Sequence, residues 1–78
     1  MYFTYVLKSE KDGKLYIGHT NNLKVRLQEH SKGKVPATKD RRPFKLVYLE
    51  GCLQLKKSVA REKYFKTGFG RRYLKKRL

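Results

Sequence analysis

Residues 2–20, YFTYVLKSEKDGKLYIGHT, decide how this chain folds. The run 2–8, YFTYVLK, is dense in aromatic and β-branched side chains, which suit a pleated, half-buried surface. Asp12-Gly13 then favours a tight turn with positive φ, and LYIGH resumes the strand pattern. The stretch therefore reads as a β-hairpin with strands near 2–9 and 14–19. Phe3, Tyr5 and Leu7 fall on one face of the first strand, and Tyr2, Thr4 and Val6 on the other. Gly18 is the misfit, because a glycine weakens a strand interior and marks a bulge or a close approach of backbone.

Outward from the hairpin, Asn21 or Asn22 can cap a helix near 22–32, and Gly33 can close it. Leu23, Leu27 and His30 form one stripe of that helix, with Arg26 beside them. Residues 33–43, GKVPATKDRRP, read as an exposed cationic loop. FKLVYLEG follows as a third strand, with Phe44, Leu46 and Tyr48 alternating against Lys45, Val47 and Leu49. A helix spans about 54–67, Gly68 and Gly70 interrupt it, and RRYLKKRL is a short basic terminal helix that docks through Tyr73, Leu74 and Leu78. The order ββαβαα predicts an α+β fold, a short, mostly antiparallel three-stranded sheet flanked by helices. One domain occupies 1–78, since a chain of 78 residues has room for a single core.

The formal charge of +15 is extreme at this length, and an anionic partner would relieve the self-repulsion it imposes. Nucleic acid is the first candidate. A membrane is not, because the sequence has no long apolar run or lipidation motif and its cations are dispersed over loops and helices. Cys52 is the single cysteine, so no internal disulfide forms, and with His19 and His30 alone it makes no structural zinc set. A small buried thiol in a reducing, cytoplasmic compartment is the expectation.

Taken together, Phe3-Thr4-Tyr5, Tyr16-Ile17-Gly18, the helical Arg26 and His30, and Ala60-Arg61-Glu62-Lys63 resemble the GIY-YIG nuclease family in order and spacing. The likeness covers nearly the whole chain and is nearest to small stand-alone bacterial members related to the N-terminal nuclease domain of UvrC. Phe3 and Thr4 depart from the first motif, whose tyrosine is kept. The resemblance implies a metal-dependent DNA endonuclease serving repair or processing, with branched or damaged DNA as its partner. It implies catalytic roles for Tyr5, Tyr16, His19, Arg26, His30 and Glu62, with Glu62 holding the metal and His19 standing where related domains can carry a lysine.

The chemistry explains why such residues would gather. Phosphodiester hydrolysis needs an activated water, a cation for the phosphoryl charge and stabilisation of the leaving oxygen. Arg26 suits the second task, since a guanidinium forks onto phosphate oxygens and is always charged. Of the six carboxylates, Glu10 and Asp12 lie at the hairpin turn, Asp40 in the loop, Glu50 at a strand end, and Glu29 faces away from the Leu23 stripe. One carboxylate with waters and phosphate oxygens makes an acceptable site for a single Mg2+ or Mn2+ ion. Glu62 also precedes Lys66 by four, so a helical ion pair worth only about 0.3–0.5 kcal/mol is its plain structural role. For the base, Tyr16 with Tyr5 as hydrogen-bonding partner competes with His30, whose intrinsic pKa is the more suitable.

Nucleic-acid contacts are expected from Gly18, which would let backbone approach a phosphate, and from Lys39, Arg41, Arg42, Arg71 and Arg72. No base-reading helix motif is present, so DNA structure rather than sequence is the expected determinant. Charge alone also supports an alternative: a nucleic-acid-binding module for DNA or RNA with little or no catalysis.

Overall fold

A computed structural model describes residues 1–78. The elements run β1 (Tyr2–Ser9), β2 (Leu15–Thr20), α1 (Leu23–Ser31), α2 (Pro36–Lys39), β3 (Phe44–Cys52), α3 (Leu55–Phe65) and α4 (Gly68–Lys75). Both neighbours of β1 are antiparallel to it, in the order β2-β1-β3. A central strand is covered on both faces, which is why alternation in β1 is imperfect: Thr4, Tyr5, Val6 and Leu7 are all buried. Gly13 turns the hairpin at φ 72°.

On one face Val6 and Ile17 pack against Phe65 of α3 and Leu74 of α4. Full burial of side chains this size contributes about 1.5–3 kcal/mol each. Thr4 joins the same face by bonding Ser58 of α3, its hydroxyl donating to the Ser58 carbonyl at 3.0 Å. On the other face Tyr5 and Leu7 meet His30 and Leu27 of α1. Asn22 caps α1, its side chain accepting from the Val25 amide at 3.2 Å.

Three local expectations need correction. The register slips between Val6 and Leu7, so Val6 faces Tyr48 while Leu7 faces Leu46. The extra residue, Val47, breaks the Phe44-Leu46-Tyr48 alternation and turns Tyr48 onto Phe65 with ring centroids 5.7 Å apart. Residues 33–43 are not wholly loop: Pro36 starts the single-turn α2, which buries Val35 and Thr38. Finally, α4 begins at Gly68, under a Thr67 cap, and Leu78 is half exposed instead of docked. Gly70 lies inside α4, where a Cβ would strike the Tyr64 carbonyl and come within 2.6 Å of Phe65 Cα.

A polar latch ties α3 to the edge strand. Arg61 donates to both Glu50 oxygens, at 2.7 and 2.9 Å, while its guanidinium lies 4.5 Å over Phe65 and 5.3 Å from Tyr73. Tyr48 donates to the same carboxylate at 2.9 Å. Those bonds, Arg61's first, outweigh burial and hold the Glu50 carboxyl below the ordinary glutamate pKa. A carboxylate whose folded pKa is depressed adds stability above its unfolded pKa, about 4.3, and loses it as pH falls through the folded value. Glu50→Gln is therefore expected to cost about 1–2 kcal/mol at pH 7, with the deficit closing below about pH 4, as urea denaturation of both chains at several pH values would register. Gly70→Ala, which must push backbone aside, is expected to cost more than about 2 kcal/mol in the same measurement.

Candidate active site

Tyr5 and Gly18 are paired residues on adjacent strands. The Tyr5 ring crosses directly over the glycine, where a Cβ would strike the phenol oxygen and lie 2.6 Å from Cζ. The close approach foreseen at Gly18 is thus made by Tyr5 and not by a group from outside; Gly18 is itself buried.

The phenol that Gly18 admits has no exposure and needs a partner. It meets His30 Nε2 at 2.8 Å, while His30 Nδ1 lies 2.8 Å from Thr38 Oγ1. Thr38 in turn donates to the Val35 carbonyl at 3.4 Å. With that hydroxyl proton committed, Nδ1–H donates to Thr38 and Nε2 accepts from Tyr5, giving a one-way chain Tyr5→His30→Thr38→Val35. Burial, and then the nearby Arg26 charge, push the His30 pKa below its ordinary value, so the ring is neutral at pH 7. The expected Tyr5–Tyr16 hydrogen bond is replaced by this chain; Tyr16 instead sets its ring against His30 with centroids 5.1 Å apart.

Arg26 stands beside Tyr5. Burial raises the Tyr5 pKa and the guanidinium opposes it, with further upward pushes from Tyr16 and Glu62. Arg26 also bonds Glu29 one turn on at 3.2 Å. From the other face of the sheet, α3 delivers Glu62, whose Oε1 accepts from His19 Nδ1 at 2.7 Å and whose Oε2 accepts from Lys66 at 3.1 Å. Burial raises the Glu62 pKa, but the bonds from His19 and Lys66 prevail and leave it lowered, hence ionised. The helical pair with Lys66 is real, and the carboxylate serves His19 as well.

Exposure sorts the cluster into two layers. Tyr5 and His30 are 0% and 2% exposed, whereas the side chains of His19, Arg26 and Glu62 are 36%, 35% and 18% exposed, and Tyr16 is half-buried. The second layer is the one open to solvent. Both His30 nitrogens are engaged inside the chain. As a metal donor set, Glu62 is an ionised lone carboxylate with no third His, Cys, Asp or Glu close by. That fits one hard cation completed by water and phosphate oxygens, and it does not fit a two-metal centre.

The other cations lie elsewhere. Arg41 bonds Asp12 at 3.1 Å, stapling the hairpin turn, so its charge is already paired. Lys39 and Arg42 flank the α2–β3 turn, and Arg71 and Arg72 sit on α4, Arg72 over Phe69. Sequence reading missed the roles of Thr38 and Arg61: no motif marks Thr38, Arg61 entered only as part of the segment around Glu62, and both work through partners in other elements. The buried chain predicts that His30 titrates below about pH 6.5 with its proton on Nδ1, readable by nitrogen-detected NMR of the imidazoles. Gly18→Ala is expected to dislodge Tyr5 and break the chain, bringing that titration up toward the ordinary value.

Residues 1–76 match the model of the GIY-YIG catalytic domain. The chain is 44% identical over 68 residues to a UPF0213 protein of Bacillus pumilus, a match covering 85% of this chain and 67% of that protein. It is 46% identical over 66 residues to a UPF0213 protein of Syntrophus aciditrophicus, covering 82% and 75%. The solution NMR structure of UPF0213 protein BH0048 from Bacillus halodurans superposes with a TM-score of 0.58 at 27% identity, covering 95% of this chain and 82% of that one. A glycine-seated tyrosine on a central strand, a second tyrosine beside it, a helical arginine and an acid from the opposite face all lie within the matched region, and the chain belongs to the GIY-YIG nuclease family.

Proposed function

We propose that the chain is a metal-dependent DNA endonuclease that hydrolyses phosphodiester bonds in the cytoplasm, in DNA repair or processing. The observation that carries this reading is that Tyr16 and Arg26 flank the Tyr5–His30 pair while the ionised Glu62 is held by His19, the residue after the Gly18 that seats Tyr5. A binding module needs no such meeting of a phenol, a fork-shaped cation and an ionised acid.

In this reading Arg26 binds the scissile phosphate, its fork gripping two oxygens and countering the charge that grows on phosphorus. Tyr16, the accessible phenol, orients the attacking water and is placed to receive its proton. Tyr5, His30 and Thr38 do not touch the scissile phosphate; they set the height and angle of the surface on which Tyr16 and Arg26 rest. His19 holds the Glu62 carboxylate in one rotamer. A single magnesium or manganese ion held by Glu62 would stabilise the departing oxygen. The +15 charge of the scaffold supports capture of a polyanion and predicts binding that weakens steeply with salt.

Cleavage of nicked, flapped and duplex DNA with Mg2+ or Mn2+ tests the reading. Arg26→Ala and Glu62→Gln are each expected to lower the rate by about 100-fold or more while the folded spectrum by circular dichroism is kept. An inert wild type, or variants that cut as well as wild type, would refute it and leave the binding module.

A further inference from the structure

The face of the sheet that carries Tyr5 is only half covered. Helix α1 lies over β1 and β2, and the β3 side is left open, with Leu46 and Leu49 38% and 42% exposed. Between α1, the α2–β3 turn and that open side is a cavity of about 610 Å³, within the range of small-ligand sites. Its floor is apolar, made by Leu7, Leu27, Phe44 and Leu46, and one wall is His30. Three cations, Lys11, Lys39 and Arg42, line the cavity against a single acid, Asp40.

Arg42 is unusual among these. Its Nε donates to the Lys39 carbonyl at 2.8 Å and its Nη1 to the Ser31 carbonyl at 3.2 Å, and the guanidinium lies flat on Gly33, where a Cβ would come within 2.8 Å of Cζ. Gly33 has φ 75°, so backbone conformation and close packing both call for glycine there. The side chain is thus fixed by neutral carbonyls at the ends of α1 and α2, with no carboxylate partner and with Nη2 carrying no bond inside the chain. An ordered, un-neutralised guanidinium at the lip of an apolar hollow is a receptor for an anion joined to a flat, weakly polar ring.

We infer that this cavity is a nucleotide subsite: one unstacked nucleotide of the substrate strand seats its base on the leucine floor and its phosphate on Arg42. The inference rests on the reading of the chain as an enzyme of nucleic acid, which supplies the ligand, and it adds where the strand leaves the Tyr16–Arg26 site. Because His30 forms both a wall of the cavity and the support of Tyr5, an occupied subsite bears on the back of the layer that positions the accessible groups.

Amide NMR of the labelled chain without metal tests this apart from cleavage. A duplex oligonucleotide with one bulged adenosine is expected to shift the Arg42, Phe44 and Leu46 amides, and deoxyadenosine monophosphate to shift them at least about 10-fold more weakly. Leu46→Trp fills the hollow from a position already open to solvent, and Arg42→Gln removes the anion receptor; each is expected to abolish those shifts and weaken oligonucleotide binding about 10-fold, whereas Lys75→Gln on α4 leaves the shifts in place. Should either variant lose its dispersed spectrum, the other decides. Silent cavity amides overturn the subsite even where cleavage persists, and shifts equally strong with the free nucleotide overturn its assignment to the strand. Cavity shifts without cleavage under either metal leave the subsite standing and overturn the hydrolytic reading instead.

Discussion

A phenol buried in the middle of a sheet must give its proton to something, and the site is organised around how Tyr5 does so. Leaving that hydroxyl unpaired would cost about 1–3 kcal/mol, a large share of what so small a domain can muster. His30 Nε2 accepts it at 2.8 Å, which commits the imidazole to one tautomer and requires an acceptor behind Nδ1. Thr38 is that acceptor, so the single turn of α2 is drawn against α1. The demand also runs across the sheet, since the ring reaches His30 only by lying over residue 18, which must lack a side chain. One buried hydroxyl thereby couples β1, β2, α1 and α2.

The distribution of charge follows a different constraint. Of 21 basic residues, Arg26, Arg41, Arg61 and Lys66 are paired with carboxylates, and Glu62 also holds His19. The best-built pair, Arg61 with Glu50, is roofed by Phe65 and Tyr73 and joins α3 to the edge strand β3. The pair at Glu62 is different in kind, being small, partly open and supplied from two elements. Most of the remaining cations have no acid to meet, and their mutual repulsion is relieved only by something outside the chain.

How much of this was legible in the sequence depended on whether a feature was local. The hairpin and the capped α1 follow from turn chemistry and spacing within a few residues, and with α3 they appear within two residues of their expected limits. Tyr5, Tyr16, Arg26, His30 and Glu62 could be picked out, because their residue types in that order resemble a known pattern. What stayed hidden was decided between distant segments. The bulge at Val47 exists only relative to β1, Thr38 matters only because His30 is buried, and the division of the site into a touching and a supporting layer is a matter of depth. Gly18 shows the limit most clearly: its oddness was visible, but a near approach by a phosphate and one by the chain's own tyrosine demand the same residue.

The uneven cover of the sheet links size to chemistry. A chain of 78 residues leaves roughly a third or more of its unfolded surface exposed when it folds, so its helices cannot close both faces. Here α3 and α4 together seal one face around Val6 and Phe65, while α1 alone spans the other and leaves the β3 side bare. The groups with chemical potential lie along the boundary of that incomplete cover: Tyr16 and Arg26 at one margin of α1, Arg42 and the apolar hollow at the other, and Glu62 where α3 reaches the β2 edge. A larger domain could bury this margin and build its site in an added loop. In this one, the place where the core runs out brings ordered side chains of several elements to solvent together, and that is where a site can form.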